Sequence, residues 1–320
     1  MSRIVRIAAA QMGPTQRADS RAHTLDRLVA LLERAAAERA QLVVFPELAF
    51  TTFFPRWWIE DEDELLGYFE ATLPGANTQR LFDRARELGV GFHVGYAELD
   101  RAAFQDGAVR RRGYNSAALV GPDGAIIGKY RKVHLPGSEG FREGQKFQQL
   151  EKRYFAYGDL GFPTFRALGG IVGMMICNDR RWPESFRMLG MQGAELIVLG
   201  YNSAAYDPNG GDTESAELRS FHSNLCAQAG AYQNASWVVA VAKAGVEDGS
   251  GLIGNSVIVD PRGVIVAQTK TLADEVIVAD ADLDACAQGK QKMFDFAAHR
   301  RPQHYGLITA RAGAVPPPGA

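Results

Sequence analysis

Cys177 follows the apolar run Ile171-Val172-Gly173-Met174-Met175-Ile176 and precedes Asn178-Asp179-Arg180-Arg181. A cysteine at the carboxyl end of a buried strand, just before a helix start, has two features that stabilise a thiolate. Nearby positive charge and helix N-terminal dipoles both make the sulfur nucleophilic near neutral pH. An inert core cysteine would occupy the same place, and position alone leaves both readings open. Glu47 ends Phe45-Pro46-Glu47, again straight after an apolar run. A proline-fixed carboxylate at a strand end is how a general base is positioned; a solvated carboxylate at a sheet edge is the plainer alternative. Lys132 lies in Lys129-Tyr130-Arg131-Lys132-Val133-His134, where cations alternate with apolar residues. It either protects an edge strand by charge or points inward at a developing oxyanion.

The elements that must hold these residues are legible in the hydrophobic pattern. Residues 4–11 and Leu42-Val43-Val44-Phe45 read as buried strands, with a helix between them. Its apolar positions Leu25, Leu28, Val29, Leu32 and Ala36 recur at helical spacing. A helix near 75–88 leads to a strand at 91–96. Gly121-Pro122-Asp123-Gly124 and Asp260-Pro261-Arg262-Gly263 are hairpin turns between β segments. A purely parallel sheet needs no such hairpins, so the pattern predicts an α/β fold with mixed sheets. Strands at 171–176, 196–199 and 237–241 alternate with a helix starting at Pro183 and a long one near 214–234. On the latter, Leu218, Phe221, Leu225 and Tyr232 form one stripe. No linker-like composition interrupts residues 1–311, which read as one domain, and the Pro- and Gly-rich residues 312–320 read as a flexible tail.

Composition excludes several function classes. The 320 residues are 46% hydrophobic and 22% charged, with 35 Lys plus Arg against 37 Asp plus Glu. That balance offers no general attraction to nucleic acid or to anionic membrane. Three cysteines, Cys177, Cys226 and Cys286, are too few for a disulfide framework and lack zinc-type spacing. Six dispersed histidines give no metal-ligand pair. Gly249-Ser250-Gly251-Leu252-Ile253-Gly254 matches the dinucleotide fingerprint in letters, but it precedes a strand instead of opening a helix. The N-terminal segment has no apolar stretch of the signal-peptide kind, and no apolar run reaches membrane-spanning length. A cytoplasmic protein with reduced thiols is expected.

Phe45-Pro46-Glu47-Leu48, Lys129–Leu135 and Ile176–Glu184 together resemble the Glu-Lys-Cys signature of the nitrilase superfamily. Their order agrees, with 85 residues from Glu47 to Lys132 and 45 from Lys132 to Cys177. Within that superfamily the chain is most similar to the N-carbamoyl-D-amino acid amidohydrolases. Thr51–Trp57, Leu150–Phe155, Gly158–Pro163 and Arg300–Ile308 extend the likeness almost to the C-terminus.

The resemblance implies a four-layer α-β-β-α sandwich. It makes Cys177 the nucleophile, Glu47 the general base and acid, Lys132 the oxyanion stabiliser and Glu151 a second carboxylate that tunes the site. A backbone N–H near Asn178 would complete the oxyanion pocket. Arg180 and Arg181 would grip a substrate carboxylate, because a guanidinium fork matches one bidentately. His134, Asn202, Ser203 and His222 match pocket positions, although a satisfied buried histidine is the plainer reading of His222. The implied reaction is hydrolysis of N-carbamoyl-D-amino acids to the D-amino acid, ammonia and carbon dioxide, without metal or organic cofactor. Another amidase, a β-ureidopropionase-like enzyme or a catalytically silent scaffold are the alternatives. Gln149, Ser203 and the loop from Ser138 depart from the family pattern. Phe294–Leu307, aromatic and basic, matches a region of subunit contact, so a homodimer or homotetramer is expected.

Overall fold

The structure is a computed structural model that describes residues 2–207, 209–211 and 214–317. In chain order the strands are β1 (Ile4–Gln11), β2 (Leu42–Val44), β3 (Gly91–Leu99), β4 (Gly113–Val120) and β5 (Ile126–Arg131). There follow β6 (Thr164–Ala167), β7 (Gly170–Ile176), β8 (Leu196–Tyr201), β9 (Trp237–Ala242), β10 (Ala244–Glu247) and β11 (Ser250–Ile253). The last three are β12 (Val257–Val259), β13 (Ile265–Gln268) and β14 (Glu275–Asp282). Four helices cover them: α1 (Arg21–Ala37), α2 (Gln79–Leu88), α3 (Pro183–Met191) and α4 (Ala216–Asn234).

Two six-stranded sheets form, in the orders β14-β1-β2-β3-β4-β5 and β13-β12-β9-β8-β7-β6. In each, three parallel strands are flanked by antiparallel ones: β1, β2 and β3 in the first, β7, β8 and β9 in the second. Both predicted turns join neighbouring antiparallel strands, β4 to β5 and β12 to β13. The mixed α/β architecture is therefore as the sequence predicts.

The period-2 alternation of strand side chains separates the layers. Ile7 and Ala9 of β1 and Leu42 and Val44 of β2 pack into the core shared with Val172, Met174, Ile197 and Val239 of the second sheet. Ala8, Ala10 and Val43, from the opposite face, pack against Leu28, Leu32, Phe82 and Ala85 of α1 and α2. Strands buried on both faces read as uninterrupted apolar runs, which is why β2 shows no alternation in sequence. On the far side, Phe186 and Leu189 of α3 and Ala227 and Ala231 of α4 cover the second sheet.

Helix α4 presents its large apolar residues outward. Leu218, Phe221, Leu225 and Tyr232 do form a stripe, but it is exposed. The buried face is Ser223, Ala227, Gly230, Ala231 and Asn234. Small residues there let the backbone approach closely: a Cβ on Gly230 would lie 2.4 Å from the Phe186 ring. The sheet thus takes the small face and leaves the large apolar one outward.

The G-x-G-x-x-G letters fall on β11 and the ends of the β10–β11 hairpin, not before a helix. Residues 312–317 carry no helix or strand, and 318–320 of the expected tail lie outside the described residues. Among the described residues no helix is long and apolar enough to cross a membrane.

Candidate active site

Glu47, Lys132 and Cys177 each sit just beyond the end of a strand, β2, β5 and β7 respectively. Two glycines make room where the sheets meet. A Cβ on Gly95 of β3 would stand 2.7 Å from Glu47 Cα, and one on Gly200 of β8 would stand 2.3 Å from its nitrogen. Neither position accepts a side chain, so the Phe45-Pro46-Glu47 turn is clamped between the two sheets.

Lys132 continues the β4 pairing by donating its backbone N–H to Asn115 O at 2.8 Å. Its ammonium reaches inward, 2.7 Å from Glu47 Oε1 and 2.6 Å from Glu151 Oε2, and all three side chains are buried. Both charged strand-end residues therefore take the inward reading over the solvated one. Glu151, the first residue of the short helical turn Glu151–Tyr154, closes the trio.

Burial pushes the Glu47 carboxyl up, but the Lys132 charge and hydrogen bonds from Lys132, Asn115 and Asn202 outweigh it and hold Glu47 below the usual range. Glu151 goes the other way, pushed up to about 7 by burial and by its Glu47 neighbour despite Lys132. One cation between two carboxylates in a dry site splits their affinities for the proton. Burial opposes the Lys132 charge, yet Cys177 and the two carboxylates raise its pKa overall.

Cys177 has φ of 47°, a left-handed conformation that costs strain for a residue with a side chain. It opens the tight turn Cys177–Arg181, which Asp179 fastens from within. The Asp179 carboxylate accepts from Ile176 N at 3.0 Å, Tyr130 Oη at 2.8 Å and His134 N at 2.9 Å, and meets His134 Nδ1 at 2.8 Å. The expectation of a lowered thiol pKa is overturned. Burial and the Glu47 charge raise it, and Lys132 and Arg180 offset only part of that rise. Only the five-residue 3-10 turn Cys177–Arg181 starts at the sulfur; the longer helix α3 begins six residues later, at Pro183. The resting group is a thiol beside a carboxylate, so nucleophilicity must come from proton removal.

Arg180 is buried among neutral partners. Its guanidinium donates to Cys177 O at 2.7 Å, Ser203 Oγ at 2.8 Å and Ser223 Oγ at 3.3 Å, and lies 4.3 Å from the centre of the Tyr201 ring. Nη1 is 3.9 Å from Cys177 Sγ, and Nε has no partner. Arg181 is exposed at the rim, where it donates to Asn178 Oδ1 at 3.2 Å. Asn178 in turn donates to His134 O at 3.2 Å, and the His134 ring stacks on Trp182 at 5.0 Å.

Asn202, expected to touch substrate, lines a cavity and also holds Glu47: its backbone N–H and side-chain amide both donate to Oε2 at 3.1 Å. Its carbonyl accepts from Cys177 Sγ at 3.5 Å. His222 is exposed on α4, with Nδ1 3.6 Å from Glu214 Oε1, so it is not the buried histidine of the plainer reading. Sequence reasoning missed Asn115, Ser223 and Tyr201. The available signal for Asn115 was the polar pair Asn115-Ser116 opening onto an apolar run from Ala117 to Val120.

A cavity of about 290 Å³ opens beside Asn202, walled by Phe53, Phe147, Tyr206 and Gln149. A larger groove, about 490 Å³, runs between α3 and the segment 293–309, and neither cavity is lined by Glu47, Lys132, Glu151 or Cys177. Size therefore does not locate the chemistry here. Among the described residues no cluster of three His, Cys, Asp or Glu side chains could hold a metal ion.

The arrangement can perform acyl transfer: a thiol, a buried carboxylate to accept its proton and an ammonium for the oxyanion. Known proteins resemble this chain over nearly its whole length. A nitrilase of Pyrococcus abyssi is 32% identical over 94% of this chain and 99% of its own. An N-carbamoylputrescine amidase of Solanum lycopersicum is 30% identical over 98% of both chains. The crystal structure of a carbon-nitrogen hydrolase from Helicobacter pylori G27 superposes with a TM-score of 0.81, at 23% identity, over 96% of this chain and 99% of that one. The sequence pattern of the carbon-nitrogen hydrolases matches residues 6–291. With that span containing every reactive group described, the chain belongs to the carbon–nitrogen hydrolase family of the nitrilase superfamily, a hydrolase of amide-type C–N bonds.

Proposed function

We propose that the chain hydrolyses N-carbamoyl-D-amino acids to the D-amino acid, ammonia and carbon dioxide. The observation that carries this reading is Arg180. Its guanidinium is buried and 3.9 Å from Cys177 Sγ, and no carboxylate among the described residues pairs with it. An uncompensated buried cation is costly, and a substrate carboxylate would supply the missing charge. The D configuration is supported by the resemblance to the D-specific amidohydrolases. A cationic carbamoyl amine would meet Arg180 as a like charge.

In this reading Glu47 removes the Cys177 proton as sulfur attacks the ureido carbonyl. Lys132 stabilises the tetrahedral oxyanion with a backbone N–H near Asn178. Collapse breaks the C–NH2 bond, and Glu47 returns its proton to the departing ammonia. Water, deprotonated by Glu47, then cleaves the thioester-like intermediate. The released N-carboxy amino acid loses carbon dioxide. Glu151 tunes the Glu47–Lys132 pair, and Arg180, aided by Arg181, Ser203 and His134, orients the substrate. We also infer that the exposed apolar face of α3 and α4 pairs with a second copy of the chain.

Ammonia release from N-carbamoyl-D-amino acids, their L forms, a β-ureido acid and N-carbamoylputrescine tests the assignment. The D forms should turn over fastest. Arg180→Ala should lower kcat/KM on them by roughly 2–5 kcal/mol, some 30-fold to several thousand-fold, with little effect on the cationic substrate. Preference for the L, β or cationic compound in the wild type would refute the substrate class.

A further inference from the structure

Asn115 comes into the site from β4 and is fully buried. Its amide nitrogen donates at 2.8 Å to Glu47 Oε1 and at 3.2 Å to Glu151 Oε2, the same two oxygens that Lys132 Nζ contacts. An NH2 group carries two protons, so each carboxylate can take one. The other ends of this pair are unsatisfied. Asn115 Oδ1 and Glu151 Oε1 are both buried and have no hydrogen-bond partner among the described residues. These orphans belong to two groups already joined through Nδ2 and Oε2. One is an amide acceptor; the other becomes a donor only if it carries a proton.

The charge count points the same way. Around Asn115 the ionisable groups are Glu47 after β2, Lys132 after β5, Glu151 on its helical turn and Cys177 after β7, with Arg180 beyond the sulfur. With both carboxylates ionised, the hydrogen-bonded Glu47–Lys132–Glu151 trio carries one negative charge more than Lys132 balances, and the Arg180 guanidinium hydrogen-bonds to none of the three. A single proton on Glu151 Oε1 neutralises the trio. The same proton gives Asn115 Oδ1 a donor, in a side-on amide–acid pair.

We propose that Asn115 is a positioning residue that keeps the shared carboxyl proton on Glu151, leaving Glu47 ionised as the base for Cys177. The amide does this by donating to Glu47 with one N–H while accepting from protonated Glu151 through Oδ1. Burial and the Glu47 charge push Glu151 up to about 7, while Lys132, Asn115 and Asn202 hold Glu47 down; donation from Asn115 Nδ2 lowers Glu151 as well, so acceptance through Oδ1 is the contact that favours its proton. The inference rests on Cys177 and Glu47 being the reacting pair, not on which carbamoyl or amide compound is hydrolysed.

Two measurements that need no turnover test it. Infrared difference spectra of the wild type near pH 6 should contain a protonated-carboxyl C=O band that Glu151→Gln removes. The pH profile of Cys177 alkylation by iodoacetamide should have its acid limb raised by about one to two units in Asn115→Ala, the shift expected on losing a hydrogen bond to a charged group. Absence of a Glu151-dependent band overturns the proposal, and so does an alkylation profile lowered uniformly without a shift. The infrared comparison uses no Asn115 variant and can overturn the proposal even if Asn115→Ala does not fold, in which case Asn115→Ser carries the alkylation profile with the same expected rise. Inactivity on N-carbamoyl-D-amino acids would refute the substrate assignment and leave both readouts unaffected.

Discussion

Cys177 pairs a strained backbone with a thiol that its surroundings keep protonated. Such a group is a poor nucleophile until Glu47 takes its proton, which makes the carboxylate and not a pre-formed thiolate the source of reactivity. Cys177→Ala should abolish turnover while the thermal melt stays within a few degrees of wild type. Glu47→Gln should slow both turnover and Cys177 alkylation at neutral pH by about 10²–10⁴-fold. Alkylation that proceeds at the wild-type rate in Glu47→Gln would mean the thiolate forms without it. Arg180 illustrates how far a residue type is readable: its cation was legible in sequence, but its partners Ser203, Ser223 and Tyr201 come from β8, its following loop and α4.

At the scale of elements, the β10–β11 hairpin holds one wall of the site through a buried charge network. Glu247, at the end of β10, accepts from Arg56 Nη1 at 2.6 Å, Phe53 N at 2.8 Å, Thr15 N at 3.0 Å and Thr52 Oγ1 at 3.1 Å. Lys243 Nζ lies 3.5 Å from it and also donates to Thr51 O. Phe53 and Arg56 line the 290 Å³ cavity, so the hairpin fixes its shape. Replacing Glu247 by Gln would leave Arg56 and Lys243 buried without their anion, a loss of about 3–5 kcal/mol in unfolding free energy measured by denaturant titration. Burial pushes the Glu247 carboxyl up, but Lys243 and Arg56 hold it down to about 2 in the folded chain, against 4.5 for a free carboxyl. The unfolded chain therefore binds the extra proton first. This stabilisation is complete above pH 4.5 and declines as the pH falls toward 2. Glu247→Gln should remove that share of the acid dependence; an unchanged acid limb of stability would show that the network contributes nothing.

For the whole molecule, α4 carries an outward apolar stripe whose C-terminal member Tyr232 packs on Phe294, and beside it Met188 and Met191 of α3 share a groove with Tyr305 and Ile308 of the exposed C-terminal segment. Large apolar groups gathered on one face are costly in water and characteristic of an interface. The pairing inferred above uses this face, with the 293–309 segment at its margin. Light scattering should give the mass of at least two chains. Phe221→Asp with Leu225→Asp should shift it to one chain. A wild-type mass of a single chain at micromolar concentration would overturn the pairing.

Sequence alone determined ten of the strands, the two hairpins at Gly121–Gly124 and Asp260–Gly263 and the strand-end placement of Glu47 and Cys177, because strand burial and turn chemistry are local signals written with periods of a few residues; β6, β10, β11 and β14 went unread. It also carried the Glu-Lys-Cys resemblance, since those segments are contiguous. Tertiary structure decided what no local pattern contains. Which face of α4 is buried depended on the match of Ala227, Gly230 and Ala231 to a sheet surface. The direction of the Cys177 shift depended on burial first and then on a carboxylate 130 residues earlier in the chain. Asn115 could be recognised only once β4 brought it between Glu47 and Glu151. Burial and Coulomb interaction act through space, so the ionisation of this site is a property of the assembled sheets rather than of any segment that composes them.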